Sequence, residues 1–313
     1  MKKLVILAIP LLALSACGKH VDASNQNIVC PTGAPAFAFY KQCQNPNFET
    51  NSVPKNIVAM MTETSNKDFV VIDTVSGVQA IGKGAPYKLA ASLTFGNFFI
   101  ASTGNDEDGK MDAGDKIAIF GKGATPDLLF HYIYGTTYDS GIEYDGLSNV
   151  QDAAKCLITG KNEATGSSID YVFIAQPVLL NALAKNSKAA VYANIQEKYQ
   201  EKSGGKRLIQ ASLFIKNSAD KSIAKQFMKD LESDVKAALK NPDVITEEIN
   251  KVLTTEESSA LYGVNPELAV KAIKADNGLG LGYEKSYSIK ADIDAFLKDI
   301  QGINETSEEI YYK

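Results

Sequence analysis

Four short turns in the sequence carry residue types that hold small polar or anionic molecules through backbone N–H groups and hydroxyls. They span residues 31–35, 73–76, 121–125 and 175–177, and each follows a run of apolar residues. In an open α/β sheet, the carboxyl ends of the strands and the N-termini of the following helices meet at one edge, where backbone donors converge. The sequence therefore predicts a ligand-binding site built from these turns.

The candidate ligand-binding residues are small hydroxyl, glycine and amide residues in or beside these turns. A glycine-rich turn with one threonine can hold a polar or anionic group through backbone donors and a hydroxyl. Two interpretations of Thr125 fit equally well: it contacts the ligand, or it is the N-cap of a helix whose first position is Pro126. Asn277 lies in a loop, residues 276–282, that can close over the site. The candidates are Thr32, Gly33, Thr74, Ser76, Thr94, Gly123, Thr125, Gln176 and Asn277.

The sequence contains little evidence of catalysis or of cofactor or metal binding. His131 is the only histidine outside the first twenty residues, and no GxSxG or HExxH motif accompanies it, so we predict no catalytic residue and no cofactor. The acidic loop at residues 105–115 has Gly109 where a calcium loop requires glycine, but Gly104 where the first carboxylate should lie. A solvated turn and a calcium loop both remain open, and we predict no metal at the binding site.

Composition narrows the class of protein further. The chain has 313 residues, of which 45% are hydrophobic and 22% charged, as is typical of a globular protein with one large domain or two smaller ones. Its 32 basic and 37 acidic residues give a formal net charge of −5. Affinity for a phosphate backbone rests on clustered Lys and Arg, so we predict no nucleic-acid partner.

The N-terminus has the layout of a bacterial secretory leader. A basic pair precedes an apolar run at residues 4–14, which is too short to span a membrane. The sequence Leu-Ser-Ala-Cys ending at Cys17 resembles the lipobox of bacterial lipoproteins, in which the cysteine is acylated. We therefore predict a signal peptide at residues 1–16 and a lipid-anchored tether at residues 17–26. The folded part is expected on the extracytoplasmic face of the cell membrane.

This location leaves the state of the other cysteines open. Cys30 and Cys43 lie 13 residues apart and can form a disulfide in an oxidising compartment. Three separate buried thiols, with Cys156 as the third, fit the sequence at least as well. No Cys-x-x-Cys pair is present, so a redox role has no support.

Alternating strand and helix patterns predict an α/β protein with largely parallel sheets. Apolar runs predict strands at residues 56–61 and 116–120, among others. Residues 196–206 have the composition of a polar connection between two strands, and residues 304–313 that of a frayed tail. After residue 218 the chain is expected to be mostly helical, because apolar residues recur there at helical spacing.

Two segments carry a resemblance to a known family. Residues 115–127, Asp-Lys-Ile-Ala-Ile-Phe-Gly-Lys-Gly-Ala-Thr-Pro-Asp, give a strand, a glycine turn and a Thr-Pro-Asp helix start. Residues 170–177 end in Gln176 and a proline, where the family commonly has Glu-Pro. On these segments the chain resembles, over roughly residues 27–297, the nitrate, sulfonate and thiamine-precursor group of ABC-transporter substrate-binding proteins.

This resemblance implies the two-lobed type II periplasmic-binding-protein fold, an α/β architecture with mostly parallel sheets flanked by helices. It implies a first lobe formed by residues 27–95 and 206–313 and a second lobe formed by residues 96–205. The chain is expected to cross between the lobes near residues 94–97 and 203–207.

The function that the resemblance implies is the capture of a small polar or anionic solute, similar to a sulfonate, nitrate or thiamine precursor, in the cleft between the lobes. The implied partners are the solute and an ABC permease in the membrane, and the chain is expected to be a monomer. Two alternatives remain open. One is an enzyme or biosynthetic domain of the pyrimidine or menaquinone-pathway type on the same fold, and the other is a surface sensor or adhesin without transport.

Overall fold

The computed structural model describes residues 22–135 and 141–313, which form two mixed sheets flanked by helices. The predicted signal peptide and residues 17–21 of the predicted tether, including Cys17, lie outside the described residues. The strands are β1 (Ile28–Pro31), β2 (Phe48–Asn51), β3 (Phe69–Asp73), β4 (Tyr87–Thr94), β5 (Phe98–Ser102), β6 (Lys116–Phe120), β7 (Glu143–Leu147), β8 (Tyr171–Ala175), β9 (Ala190–Asn194), β10 (Ala211–Lys216) and β11 (Leu281–Lys285).

The helices cover the faces of the sheets and form most of the chain after β10. Short 3-10 helices lie at Ala34–Gln44, Ser286–Ile289 and Glu308–Ile310. The α-helices of the described residues are α1 (Pro54–Ala59), α2 (Thr74–Gly82), α3 (Thr125–Tyr134), α4 (Val150–Thr159), α5 (Val178–Lys185), α6 (Ile195–Ser203), α7 (Lys221–Lys240), α8 (Asp243–Ile249), α9 (Thr255–Tyr262), α10 (Pro266–Lys274) and α11 (Lys290–Gln301).

The first sheet has the strand order β11-β4-β10-β3-β1-β2, and the second has the order β7-β6-β8-β5-β9. The chain leaves the first sheet after β4, enters the second at β5, and returns through α6 to β10. The predicted α/β class is confirmed, but the sheets are mixed rather than mostly parallel. β10 and β5 arrive from the opposite sheet, and each runs antiparallel to the strands beside it.

Three inner strands position turns that the sequence predicts to bind a ligand. β3, β6 and β8 lie inside their sheets and are largely buried on both faces. Their sequences are accordingly continuous apolar runs, such as Phe-Val-Val-Ile in β3, rather than alternating ones. Each of these strands ends in a turn that leads into a helix, so buried strands hold the turns after them in fixed positions.

The strand predicted at residues 56–61 is wrong. Residues 56–59 lie in α1, which has proline at its first position and buries only Ile57 completely, and residues 60–61 follow this helix. Proline at that position already has the backbone φ of a helix, which favours a helix start there. The apolar pair at positions 57 and 58 suggested a strand because periodicity cannot separate helix from strand over so few residues.

The polar segment at residues 196–206 is mostly helical, which corrects the predicted connection. α6 begins at Asn194, whose side chain accepts a hydrogen bond from the Gln196 backbone N–H at 3.0 Å. It ends at Gly204, which has the left-handed φ of 77°. Ile195 and Tyr199 lie four residues apart and are the buried residues of the helix, so its remaining polar side chains face outward.

The C-terminal tail is docked onto the first sheet, which corrects the predicted fraying. Tyr311 is 1% exposed and its backbone pairs with Leu89 of β4. Its hydroxyl lies 2.7 Å from the Thr306 hydroxyl, and the Tyr312 N–H donates to the Leu89 carbonyl at 2.9 Å. A buried aromatic ring and a backbone bond hold residues whose composition alone suggested a solvated end.

This docking predicts a measurable contribution to stability. We expect Tyr311→Ala to lower the free energy of unfolding by about 3–5 kcal/mol, the usual cost of deleting a buried aromatic ring. Tyr192, which is 39% exposed, serves as the matched control, and Tyr192→Ala should cost much less. Urea denaturation of both variants measures the difference, and equal losses would mean that the tail is not part of the core.

Candidate ligand cavity between the two sheets

A cavity of about 120 Å³ lies where the carboxyl ends of β1, β3, β6 and β8 face one another. It receives residues from both sheets and from both segments in which the chain crosses between them. The cavity is lined by Pro31, Thr32, Gly33, Ala34, Pro35, Ser52, Pro54, Ile72, Asp73, Asn97, Phe98, Phe120, Gly121, Ala124, Thr125, Pro126, Ser148, Asn149, Val150, Ala175, Gln176, Val178, Gln210 and Ala211. All four turns singled out in the sequence contribute to this lining.

Four of the nine candidate residues line the cavity. They are Thr32 and Gly33 after β1, Thr125 at the start of α3, and Gln176 after β8. Gly33 has a φ of 92°, a backbone conformation that favours glycine, and it precedes the 3-10 helix without a side-chain cap. The structure therefore brings together residues that are up to 144 positions apart in the chain, from Thr32 to Gln176.

Three other candidates lie close by but do not line the cavity. Thr74 is buried, and its hydroxyl lies 2.8 Å from the hydroxyl of Ser212 inside the first sheet. The Ser76 backbone N–H donates to Asp73 at 2.9 Å, which fixes the start of α2. Thr94 is buried at the end of β4. None of these three residues lines the cavity, so their placement does not support direct contact with a ligand.

The last two candidates belong to other local structures. The Gly123 backbone N–H donates to the Asp127 carboxylate at 2.8 Å within its own turn. Asn277 has a positive φ of 49° and its side chain bonds to Leu281, closing the loop before β11. That loop borders a different cavity, beside residues 95–96, rather than the one described above.

Thr125 does not cap its helix, which overturns one of the two interpretations of this residue. The N-cap of α3 is Ala124, and no side chain bonds to the first turn there. Instead the Thr125 hydroxyl donates to Asp73 Oδ1 at 3.0 Å. Because Asp73 ends β3 in the first sheet and α3 follows β6 in the second, this bond joins the two halves of the cavity.

Asp73 is a site residue that the sequence candidates missed. It is the N-cap of α2, and its Oδ1 accepts hydrogen bonds from both the Ser76 backbone and Thr125. Burial raises the pKa of this carboxyl above its usual value, although the bonds from Ser76 and Thr125 act in the opposite direction. Among the described lining residues, Asp73 is the only one with an ionisable side chain.

Four amide residues also line the cavity: Asn97, Gln176, Gln210 and Asn149, of which Asn149 caps α4 by accepting a hydrogen bond from the Asp152 N–H at 3.0 Å. Asn97 is 2% exposed and Gln210 is 7% exposed. The Asn97 amide nitrogen donates to the Gln176 backbone carbonyl at 2.8 Å. Within the described part of the chain, the side-chain oxygens of Asn97, Gln176 and Gln210 have no hydrogen-bond partner. Asn97 and Gln210 were not among the candidates because neither lies in one of the four turns.

Backbone donors lie on other parts of the same wall. α3 and α5 both begin at the cavity, with Ala124 and Pro177 as N-caps that provide no side-chain bond. The first N–H groups of a helix have no partner within it, and a helix N-terminus attracts negative charge. An apolar wall formed by Phe98 and Phe120, with ring centroids 6.1 Å apart, completes the cavity.

The acidic loop at residues 105–115 gives no support for calcium. In residues 22–135 and 141–313, no group of three His, Cys, Asp or Glu side chains is arranged to hold a metal ion. Asp106 instead accepts a hydrogen bond from the Tyr171 hydroxyl, and Asp115 accepts one from the Asp112 N–H at 2.7 Å. The loop is a hydrogen-bonded turn that leads into β6.

The cysteines of the described segments are separate thiols. Cys30 and Cys156 are buried and Cys43 is partly buried, and none of them forms a disulfide. Burial raises the pKa of the Cys30 thiol well above its usual value, which makes it a packing group rather than a nucleophile. No helix in the described ranges is long and apolar enough to cross a membrane.

Two mixed sheets, two chain crossings between them and a cavity at the strand ends define a two-lobed binding-protein fold. No protein-family model matches the chain, and no curated protein matches it. Solved structures do match. An ABC transporter structure from Parabacteroides distasonis is 17% identical with a TM-score of 0.71, and the match covers 93% of this chain and 99% of that one.

Two further structures extend this comparison. The ligand-binding component of an ABC-type import system from Staphylococcus aureus, with zinc bound, is 9% identical with a TM-score of 0.64, covering 92% of this chain and 96% of that one. The periplasmic aliphatic sulphonate binding protein SsuA from Escherichia coli is 11% identical with a TM-score of 0.59, covering 88% and 87%. At these identities the likeness shows the fold, and it confirms the predicted periplasmic-binding-protein architecture.

Proposed function

We propose that this chain is the solute-binding lipoprotein of an ABC importer, which captures a small polar or anionic solute in the cavity between its two sheets. The observation that carries the proposal is the cavity itself, which is formed from both sheets at the strand ends and helix N-termini. The ligand-binding component of an ABC-type import system from Staphylococcus aureus shares this fold. A lipid anchor at Cys17 would hold the receptor on the extracytoplasmic face, beside the permease that receives the solute.

The topology supports the proposed lobes, with residues 27–95 and 206–313 in one and residues 96–205 in the other. β4 and β5 belong to different sheets and are joined by residues 95–97, while β9 and β10 are joined through α6. A hydrogen bond from Thr125 to Asp73 connects the two lobes across the cavity. Movement about the two crossings would open the cavity to solvent and close it over a bound solute.

The size of the cavity limits the solute. A cavity of about 150 Å³ holds one benzene molecule in an engineered protein. The 120 Å³ found here is somewhat smaller, so the conformation described fits a compact molecule without a long chain. Thr32, Gly33 and Gln176 are the predicted candidates best placed to contact it, together with Asp73, Asn97 and Gln210.

Binding is better supported than covalent catalysis. Among the described lining residues there is no cysteine, histidine or lysine, and the hydroxyls come from serine and threonine. The one carboxylate that could serve as a base, Asp73, already accepts bonds from Ser76 and Thr125. A sensor or adhesin without transport would bind the same solute, and isolation of the chain in complex with a permease distinguishes it from a transport receptor.

A thermal unfolding screen of the mature chain against a library of small solutes tests the proposal. A solute at a hundred times its dissociation constant should stabilise the protein by about 2.7 kcal/mol. Ala124→Leu places a larger side chain in the cavity and should abolish that stabilisation. Ala184→Leu, at an exposed position on α5, is the matched control and should retain it. If no solute stabilises the protein, or if Ala124→Leu binds as well as the unchanged chain, the receptor function is wrong.

A further inference from the structure

The cavity has an acceptor face, defined here by the Asp73 carboxylate and the side-chain oxygens of Asn97 and Gln210. All three residues line the same space, and two of them are more than nine-tenths buried. Within the described residues, the two amide oxygens have no partner. No lysine, arginine or histidine of the described chain lines this space to balance the carboxylate. The face therefore offers several hydrogen-bond acceptors and one negative charge.

The orientation of Asn97 is fixed by its neighbour. Its amide nitrogen donates to the Gln176 backbone carbonyl at 2.8 Å, so the oxygen is the end that remains without a partner. A buried acceptor left unpaired is costly, and natural proteins pair most such groups with protein, water or ligand. A donor in the cavity would satisfy this oxygen, whereas an anion would place a second acceptor against it.

The negative charge of Asp73 also favours N–H donors over anions. Its Oδ1 is held by the Ser76 backbone and by Thr125, so the carboxylate keeps a fixed position at the cavity. An anionic group placed beside it would be repelled at short range in a partly buried setting. A positively charged or neutral N–H group would instead form a charge-assisted hydrogen bond, which is stronger than a bond between neutral groups.

Building on the proposed function, we infer that the solute is a small nitrogen compound that directs N–H donors at Asp73, Asn97 and Gln210. The donor group is an ammonium, amidinium or amide. The cavity is thus selective for nitrogen donors at this face.

Matched pairs of compounds that differ in nitrogen or oxygen test this inference. The pairs are acetamidine with acetate, 3-aminopropanoate with 3-hydroxypropanoate, and propanamide with propanoate, each titrated into the mature chain by calorimetry. We expect the nitrogen member of a pair to bind at least about tenfold more tightly, the factor given by one charge-assisted bond. Equal binding within the pairs, or no binding by any nitrogen member, overturns the inference.

Two variants assign the preference to the acceptor face. Asp73→Asn keeps a good N-cap but removes the charge, and it should reduce the preference for acetamidine over acetate by about tenfold or more. Gln210→Met removes a buried acceptor with little change in shape. It should weaken the binding of nitrogen compounds several-fold. Gln79→Met, at an exposed position on α2, is the control and should change neither.

These outcomes separate the inference from the proposed function. If library solutes without N–H groups stabilise the protein and Ala124→Leu abolishes their effect, the receptor function stands and the nitrogen preference is wrong. If the preference survives in both Asp73→Asn and Gln210→Met, the acceptor face does not produce it, and the inference is again wrong. If no solute of any kind binds in the cavity, the proposed function is wrong, and the inference that rests on it is wrong as well.

Discussion

Replacing Gly280 with alanine is expected to lower the free energy of unfolding by about 2–5 kcal/mol. Gly280 has a φ of 64°, and an added Cβ would lie 2.2 Å from the Gly96 carbonyl oxygen. The Phe95 N–H also donates to the Gly280 carbonyl at 2.8 Å, so the two backbones are in direct contact. The expected loss combines about 1–2 kcal/mol for left-handed backbone with about 1–3 kcal/mol for the forced displacement.

Gly302→Ala is the matched control for this prediction. Gly302 has nearly the same backbone φ, 70°, but an added Cβ there meets nothing within 4 Å. Gly302→Ala should therefore lose only the free energy of unfolding that a left-handed backbone costs. The difference between the two variants in urea denaturation gives the cost of the close contact at Gly280. Equal losses would show that the loop before β11 does not press on the first crossing. A larger loss at position 280 would show that this loop braces one of the two crossings that a lobe movement requires.

Asp73→Asn is expected to make the ligand-free protein more stable at neutral pH. Burial raises the folded-state pKa of Asp73 above its unfolded value near 3.8, so the native state holds this proton more tightly than the unfolded chain does. The stability that the protonated carboxyl provides is therefore complete below that value and is lost as pH rises through the raised pKa. Asparagine cannot ionise, yet it can still cap α2 and accept the Thr125 hydrogen bond.

Thermal unfolding of the unchanged chain and Asp73→Asn over a range of pH measures this effect. The difference in stability should favour the variant increasingly as pH rises from about 4 toward neutral, and it should vanish in acid. Contributions from other carboxyl groups are present in both proteins and largely cancel in the difference. A difference that is constant with pH would mean that Asp73 is not destabilised by its burial. An ionisable group kept at a cost to stability is typical of a functional site.

The sequence predicted the local units of the fold well where one strong pattern acted alone. β6 has the predicted bounds, because a short apolar run is followed by a turn that contains two glycines with positive φ, Gly121 and Gly123. The helix after it starts at Thr125, one residue before the predicted first position at Pro126, because Ala124 and not Thr125 is its N-cap. Patterns that depended on a few residues were less reliable, and the strand predicted at residues 56–61 is a helix for that reason.

The turns of the site were predictable, but its acceptor face was not. Thr32, Gly33, Thr125 and Gln176 follow buried strands, and the general rule for strand ends located them. Asn97 and Gln210 lie at the two crossings and approach each other only because β10 inserts between β3 and β4. The pairing of β10 with β3 and β4 joins segments more than a hundred residues apart, and no local sequence pattern encodes it.

A crystal structure of the mature chain with the most stabilising compound of the panel shows whether the cavity between the two sheets holds the solute. We expect electron density for one molecule in the cavity between the two sheets, with a nitrogen within hydrogen-bond distance of Asp73 and Asn97. Density at another surface, with the cavity filled only by water, would contradict both the site and the mode of capture proposed for this protein.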